Sequence, residues 1–313
     1  MLVFIANRLL SVVPVLAVVA VVVFLMLRLT PGDPAAAIAG DSATAEQVAE
    51  IRSKLGLDQP MVTQFVIWAG RAMRGDLGES FFFKKPVTAL IAQRIEPTLS
   101  LATTTIILAV LVAVPLGVLA AYRHGGVLDR CLMGFSVLGF SVPVFVIGYL
   151  LIYIFAIKIH WLPVQGYRRI GEDVGDWAYH LILPSLTLAV IYVALIARMT
   201  RASVIDVLTE DYIRTARAKG LPPRAVLIRH ALRNAAVPII TVIGIGVALL
   251  IGGVVVTESV FNIPGLGRLT VDAVLARDYP VIQAIILLFS YAYVQINLVI
   301  DLAYSFFDPR IRY

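Results

Sequence analysis

Six cations, Arg214, Arg217, Lys219, Arg224, Arg229 and Arg233, fall within one segment, Asp211–Pro238, whose one acid is Asp211. Side chains of this type at this density bind anions, either lipid head groups or the acidic face of a partner protein. The middle of the segment, Gly220-Leu221-Pro222-Pro223, is a break. Gly220 suits the left-handed end of one helix, and the prolines suit the first turn of the next. The pattern predicts a helix, a sharp turn and a second helix. Asp301 is the other residue whose chemistry stands out. It is an acid inside an apolar run, near one end, where pairing with an arginine is the expected arrangement.

Catalytic signatures are absent from the chain. There is no Gly-x-x-x-x-Gly-Lys, so ATP binding by this chain is not expected, and neither His-Glu-x-x-His nor Gly-x-Ser-x-Gly occurs. His124, His160, His180 and His230 are scattered, and Cys131 is the lone cysteine, read as packing. No cofactor or metal is expected on this chain.

The elements that must position the basic segment are apolar. Of 313 residues, 60% are hydrophobic and 15% charged, with a mean hydropathy of +0.91, which excludes an ordinary soluble domain. Six runs are long enough to cross a bilayer: Leu9–Leu29, Thr98–Tyr122, Cys131–Ile157, Leu181–Met199, Ala235–Thr257 and Val281–Tyr304. The first is followed by Ala37-Ile38-Ala39, faintly like a signal-peptide cleavage site. It is too long for such a signal and more spans follow, so it is read as a span.

Residues 31–97 form the one sizeable polar segment. Thr44-x-x-Gln47 has the form of a capping box, predicting a helix to Leu55 with Gly56 as its stop. Pro60 opens a second helix, through Trp68 to Arg74, closed by Gly75. In the second span Thr105, Ala109, Ala113, Gly117 and Ala121 form a ladder of small residues, an internal contact face. Gly117→Leu is therefore expected to weaken assembly. Ser141-Val142-Pro143 predicts a kink in the third span. Residues 158–180 and 258–280 are read as outer loops, with Trp161, Tyr167, Trp177 and Tyr179 at the membrane interface.

Charge orients the spans. Thirteen Lys and Arg residues fall on the face that holds both termini and the basic segment, against five in the short loops opposite. Both termini are therefore placed inside. The net charge of +6 is a signature of topology, and no nucleic-acid partner is expected.

Ala216, Gly220, His230-Ala231-Leu232-Arg233-Asn234 and Pro238 resemble the EAA loop of ABC-importer permeases. Arg214-Thr215-Ala216 stands in place of Glu-Ala-Ala, and Arg233 in place of Pro. Both departures match the dipeptide/oligopeptide/nickel branch, and the chain most resembles a dipeptide permease B-type subunit. The resemblance extends to Leu29-Thr30-Pro31-Gly32-Asp33-Pro34, Leu55-Gly56-Leu57-Asp58-Gln59-Pro60, Gly75-Asp76-Leu77-Gly78, Glu258 with Phe261–Gly267, and Phe307–Tyr313.

It implies an all-α integral membrane protein with the type I ABC importer permease fold. Six transmembrane helices, with both termini cytoplasmic, would form one domain, 1–313, in a bacterial or archaeal cytoplasmic (inner) membrane. Residues 31–97 would be an extracytoplasmic loop with short helices, and 201–235 a cytoplasmic coupling loop. The implied partners are a second homologous permease in a heterodimer, two ATPase subunits that hold ATP and Mg, and an extracytoplasmic solute-binding protein. Ala216, Arg217, Ala218, Lys219, Gly220, Leu221, Pro222, Arg224 and Val226 would couple the chain to an ATPase. A docking helix is expected around Ala218–Val226, with Leu221 and Val226 filling a groove on the partner. The implied cargo is di- or oligopeptides carried by alternating access; nickel chelates, glutathione and other small solutes use similar permeases. A stand-alone secondary transporter would need midplane carboxylates and inverted repeats, and an integral enzyme a polar cluster within the spans. Neither is visible.

Overall fold

A computed structural model describes residues 2–29, 35–36, 44–54 and 57–307. The Thr30–Pro34 turn, the Ala37-Ile38-Ala39 run, the expected helix stop at Leu55-Gly56 and the tail Asp308–Tyr313 lie outside these. Twelve helices are named within the described residues: α1 (Leu2–Leu29), α2 (Ala45–Lys54), α3 (Met61–Met73), α4 (Val87–Tyr122), α5 (Val127–Ser141), α6 (Val144–Leu151), α7 (Val174–Leu208), α8 (Asp211–Ala218), α9 (Pro223–Ala225), α10 (Ala236–Val260), α11 (Leu266–Leu275) and α12 (Tyr279–Phe307). Helices α6 and α9 run on as wider π-helical segments, Ile152–Lys158 and Val226–Leu232.

By length and composition, among the described residues, four helices suit a membrane crossing: α4, α7, α10 and Tyr279–Ala303 of α12. The count becomes five if α5 and α6 make one crossing. The described apolar part of α1 is Val12–Met26.

The expected kink in the third span is a break. Helices α5 and α6 meet at 104°. Val142, the residue before Pro143, is extended (φ −92°, ψ 124°), because the proline ring excludes the helical region for its predecessor. Two other expected boundaries move outward. Helix α4 begins at Val87 and passes through Pro97. Helix α7 begins at Val174 because Asp173 caps it, its Oδ1 accepting the N–H groups of Gly175 (2.7 Å) and Asp176 (3.1 Å).

Contacts divide the chain into two compact units, Met1–Ile95 with Leu269–Val294, and Glu96–Arg268 with Gln295–Tyr313. In the first, Val87 and Leu90 of α4 cluster with Leu269, Ala273, Val281, Ala284 and Ile285. Phe24 of α1 packs edge-on against Phe65 of α3, with ring centres 5.2 Å apart. The capping box forms as the sequence predicts: Thr44 N–H donates to Gln47 Oε1 (2.9 Å), and Gln47 N–H to Thr44 Oγ1 (3.3 Å). Buried Asp278 accepts the N–H of Phe82 at 3.1 Å and a short hydrogen bond from the Ser80 hydroxyl.

Of the four helices that suit a crossing, α7 is the most enclosed, with 67% of its apolar window buried. The small-residue ladder of α4 packs against it. Thr105, Ala109, Ala113 and Ala121 are buried, and a Cβ on Gly117 would stand 2.7 Å from the Ala197 carbonyl oxygen and from Thr200 Cβ. The contact face is as expected, but its partner is a helix of the same chain. Gly117→Leu therefore acts first on the fold of this chain. Cys131, read as packing, is exposed.

Of the four aromatics expected at the interface, two turn inward. Trp177 Nε1–H donates to Ser100 Oγ (3.2 Å), which lies 3.1 Å from the Tyr167 hydroxyl. That hydroxyl donates in turn to Glu96 Oε1 (3.2 Å). Burial pushes the Tyr167 phenol above its ordinary pKa, and the Glu96 charge adds to the shift. Trp161 and Tyr179 stay exposed.

Candidate docking site

The basic segment follows directly from α7. Helix α8 ends as Gly220 requires: its φ is +78°, its N–H donates to the Arg217 carbonyl (2.9 Å), and the Leu221 N–H donates to the Ala216 carbonyl (3.3 Å). These two bonds make a Schellman motif, which satisfies carbonyls left over at the helix end. A residue with a β-carbon pays roughly 1 kcal/mol or more in this left-handed conformation. Pro222 then caps α9 and Pro223 occupies its first turn, where a missing N–H costs nothing.

The segment has a buried foot and an exposed crown. Ile213, Ala216, Val226, Ala231 and Ala235 are buried, and the last two cluster with Ala121, Val204 and Ile239 from α4, α7 and α10. The crown is Arg217, Ala218, Lys219, Gly220, Leu221, Pro222 and Arg224, all exposed. Two expectations change here. Ala218–Val226 is not one helix: α8 ends at Ala218, 219–222 form the turn, and α9 starts at Pro223, because Gly220 and the proline pair interrupt it. Val226, expected to fill a partner's groove, is 3% exposed and belongs to the foot, whereas Leu221 is 37% exposed and available.

Among the described residues, no ion pair engages Arg217, Lys219 or Arg224 of the crown. The Asp211–Arg214 pair (3.3 Å) joins side chains that are largely in solvent, an arrangement that contributes little. Burial pushes the neighbouring Tyr212 phenol upward, with the Glu210 charge adding to it. Asp301 is half-buried in α12.

One anchor escaped the sequence reading. Asp129, in the first turn of α5 and buried, receives Arg201 of α7 in a two-pronged ion pair, one prong 2.8 Å from Nη2 to Oδ2. It also accepts the Gly125 N–H (2.9 Å). Arg201 lies just ahead of the basic segment, so this pair fastens its leading helix to α5. Both residues are ordinary for a helix end in the sequence, and nothing local marks them as partners 72 positions apart. Among the described residues no group of His, Cys, Asp and Glu is placed to hold a metal ion.

Comparison with known proteins gives this geometry its context. Residues 113–313 match the model of the binding-protein-dependent transport system inner membrane component, and residues 1–102 match the N-terminal model of the same kind of membrane component. A probable peptide ABC transporter permease protein of Sinorhizobium fredii is 58% identical over 311 residues, covering 99% of each chain. The glutathione transport system permease protein GsiC of Escherichia coli is 47% identical over 313 residues, covering 100% of each. In fold, the chain resembles a chain of the MetNI methionine ABC transporter in inward-facing conformations. The TM-score is 0.59 at 18% identity, over 70% of this chain and 96% of that one. A turn that exposes cations at the end of a buried foot, on a scaffold of apolar helices, thus belongs to a known kind of machine: the chain is a member of the binding-protein-dependent transport system inner membrane component family, a multi-pass permease subunit of an ABC importer.

Proposed function

We propose that this permease forms a heterodimer with a second, homologous permease, and that the two line one path for di- and oligopeptides. Two ATPase subunits, carrying ATP and Mg, dock from the cytoplasm, and an extracytoplasmic solute-binding protein delivers cargo. Six crossings underlie this reading: α1, α4, the bent α5–α6 pair, α7, α10 and α12. Both termini are then cytoplasmic, 31–97 is extracytoplasmic, 201–235 is the coupling loop, and 1–313 is one membrane domain. The excess of Lys and Arg on one face supports that orientation. The names of the two relatives support the cargo class, since glutathione is itself a tripeptide. Nickel chelates remain the second cargo, to be separated by mass spectrometry of the ligand that copurifies with the binding protein.

The observation that carries the coupling role is the Schellman turn at Gly220. It presents Arg217, Lys219, Leu221 and Arg224 at the tip of a segment rooted in three long helices. Closure of the ATPases would pull on this tip, and the foot would pass the motion to α4, α7 and α10, switching the side to which the path opens. Charge on the crown registers the interface more than it tightens it. The test is ATP hydrolysis by the reconstituted complex with and without binding protein. Gly220→Val should leave membrane insertion and permease pairing intact, abolish stimulation and uptake, and loosen the ATPases. Stimulation at the unmodified level would reject coupling through this turn.

A further inference from the structure

Glu258, in the last turn of α10, is fully buried, and nothing in the coupling route above uses it. Its Oε1 accepts the Thr98 hydroxyl of α4 (2.6 Å), and its Oε2 accepts the Arg268 N–H (2.9 Å). Thr98 Oγ1 in turn accepts the Leu266 N–H (2.7 Å), and the Glu258 carbonyl accepts the Ile263 N–H (2.9 Å). A buried carboxylate is tolerated only where donors meet it, and here they come from α4 and from the strap Phe261–Arg268. The strap is shaped around the acid. A Cβ on Gly265 would stand 2.0 Å from Oε1, and one on Gly267 would stand 3.0 Å from Oε2. The loop ahead of α7 joins the same knot, because the Gly166 N–H donates to the Phe261 carbonyl (3.0 Å). What the strap leaves outside is Asn262, held at φ +53°, and Pro264. The Arg268 guanidinium donates to Asn262 Oδ1 in a short hydrogen bond.

We infer that Glu258 is a positioning residue for transport: it holds Asn262, Pro264 and Arg268 as a fixed contact for the solute-binding protein and ties that contact to α4 and α10. The inference rests on the proposed topology, which puts residues 258–280 outside. A strap free to move would lose part of each docking event to ordering the strap itself. Fixed to two long helices, it passes the load of docking into the segments that end, on the inner side, at the coupling foot.

The experiment uses the reconstituted complex of both permeases and the ATPases, with binding protein loaded with glutathione or with Ala-Ala-Ala. ATP hydrolysis is followed as binding protein is titrated. Glu258→Gln replaces one acceptor with an amide donor, and Thr98→Val removes the hydroxyl; Thr98→Ser keeps it. Expected in the first two variants are an unchanged basal rate and ATPase content. The binding-protein concentration for half-maximal stimulation should rise by about tenfold, equivalent to about 1.4 kcal/mol, with Thr98→Ser near the wild-type value. An unchanged half-maximal concentration in both variants overturns the inference. So does a fall of basal rate, complex yield and stimulation in step, which would make the knot a folding element alone. A wild-type complex that binding protein does not stimulate rejects the proposed function itself, an outcome distinct from both.

Discussion

The turn at Gly220 and the knot at Glu258 both direct a short exposed segment, by opposite means. The turn is local. Its bonds join residues three to five apart, and its crown stands in solvent. The knot is long-range. Thr98 and Glu258 are 160 positions apart, and the acid is sealed under Gly265. A local turn keeps its shape with little help from the rest of the molecule, so it can be pushed as a lever. A knot of buried polar groups holds only while every partner is in place, and removing one leaves the others unsatisfied. Changes that overfill packed regions should therefore cost stability, while changes at the turn should cost coupling and little stability.

The largest effect is expected where a bulky side chain would meet backbone of a packed helix. Gly117→Leu has no room beside Ala197 and Thr200, so little monodisperse protein should survive detergent extraction, as read by size-exclusion chromatography. A normal yield and melting temperature would break the comparison at its strong end. Arg201→Ala comes next, because it leaves Asp129 buried without its cation. Breaking such a pair costs about 3 kcal/mol or more, visible as a lower melting temperature. Asp129→Asn combined with Arg201→Gln should cost less than the two single changes together. Gly265→Ala drives a methyl group into the Glu258 carboxylate, and overpacking of this sort costs about 1–3 kcal/mol. Gly220→Ala should cost about 1 kcal/mol of local strain, with a melting temperature near wild type but clearly weaker stimulation by binding protein. If it melts as early as Gly265→Ala, the turn is no more local than the knot. Asp211→Asn marks the bottom of the scale, at under about 0.5 kcal/mol.

Much was legible in the sequence alone. Apolar runs longer than a bilayer is thick announce membrane crossings whatever their neighbours are, because the backbone must satisfy itself inside lipid. Thr44 with Gln47, and Gly220 with Pro222 and Pro223, formed as predicted because capping bonds link residues a few positions apart, so the local pattern carries the whole cause. The ladder from Thr105 to Ala121 announced a contact face for the same reason: helical periodicity decides which residues share a side.

Tertiary structure decided the rest. The ladder says that something packs on it, and only the fold names α7. Val226 reads as one more apolar residue near a basic tip, yet its place in the foot depends on how the returning helix turns, which spacing does not specify. A proline announces a bend without its size, and only the fold gives the 104° between α5 and α6. Asp129 with Arg201, and Glu258 with Thr98, are pairs far apart in the chain. In each, the partner is chosen by which stretches of helix are brought together, since a buried charge takes whatever donor the fold delivers to it.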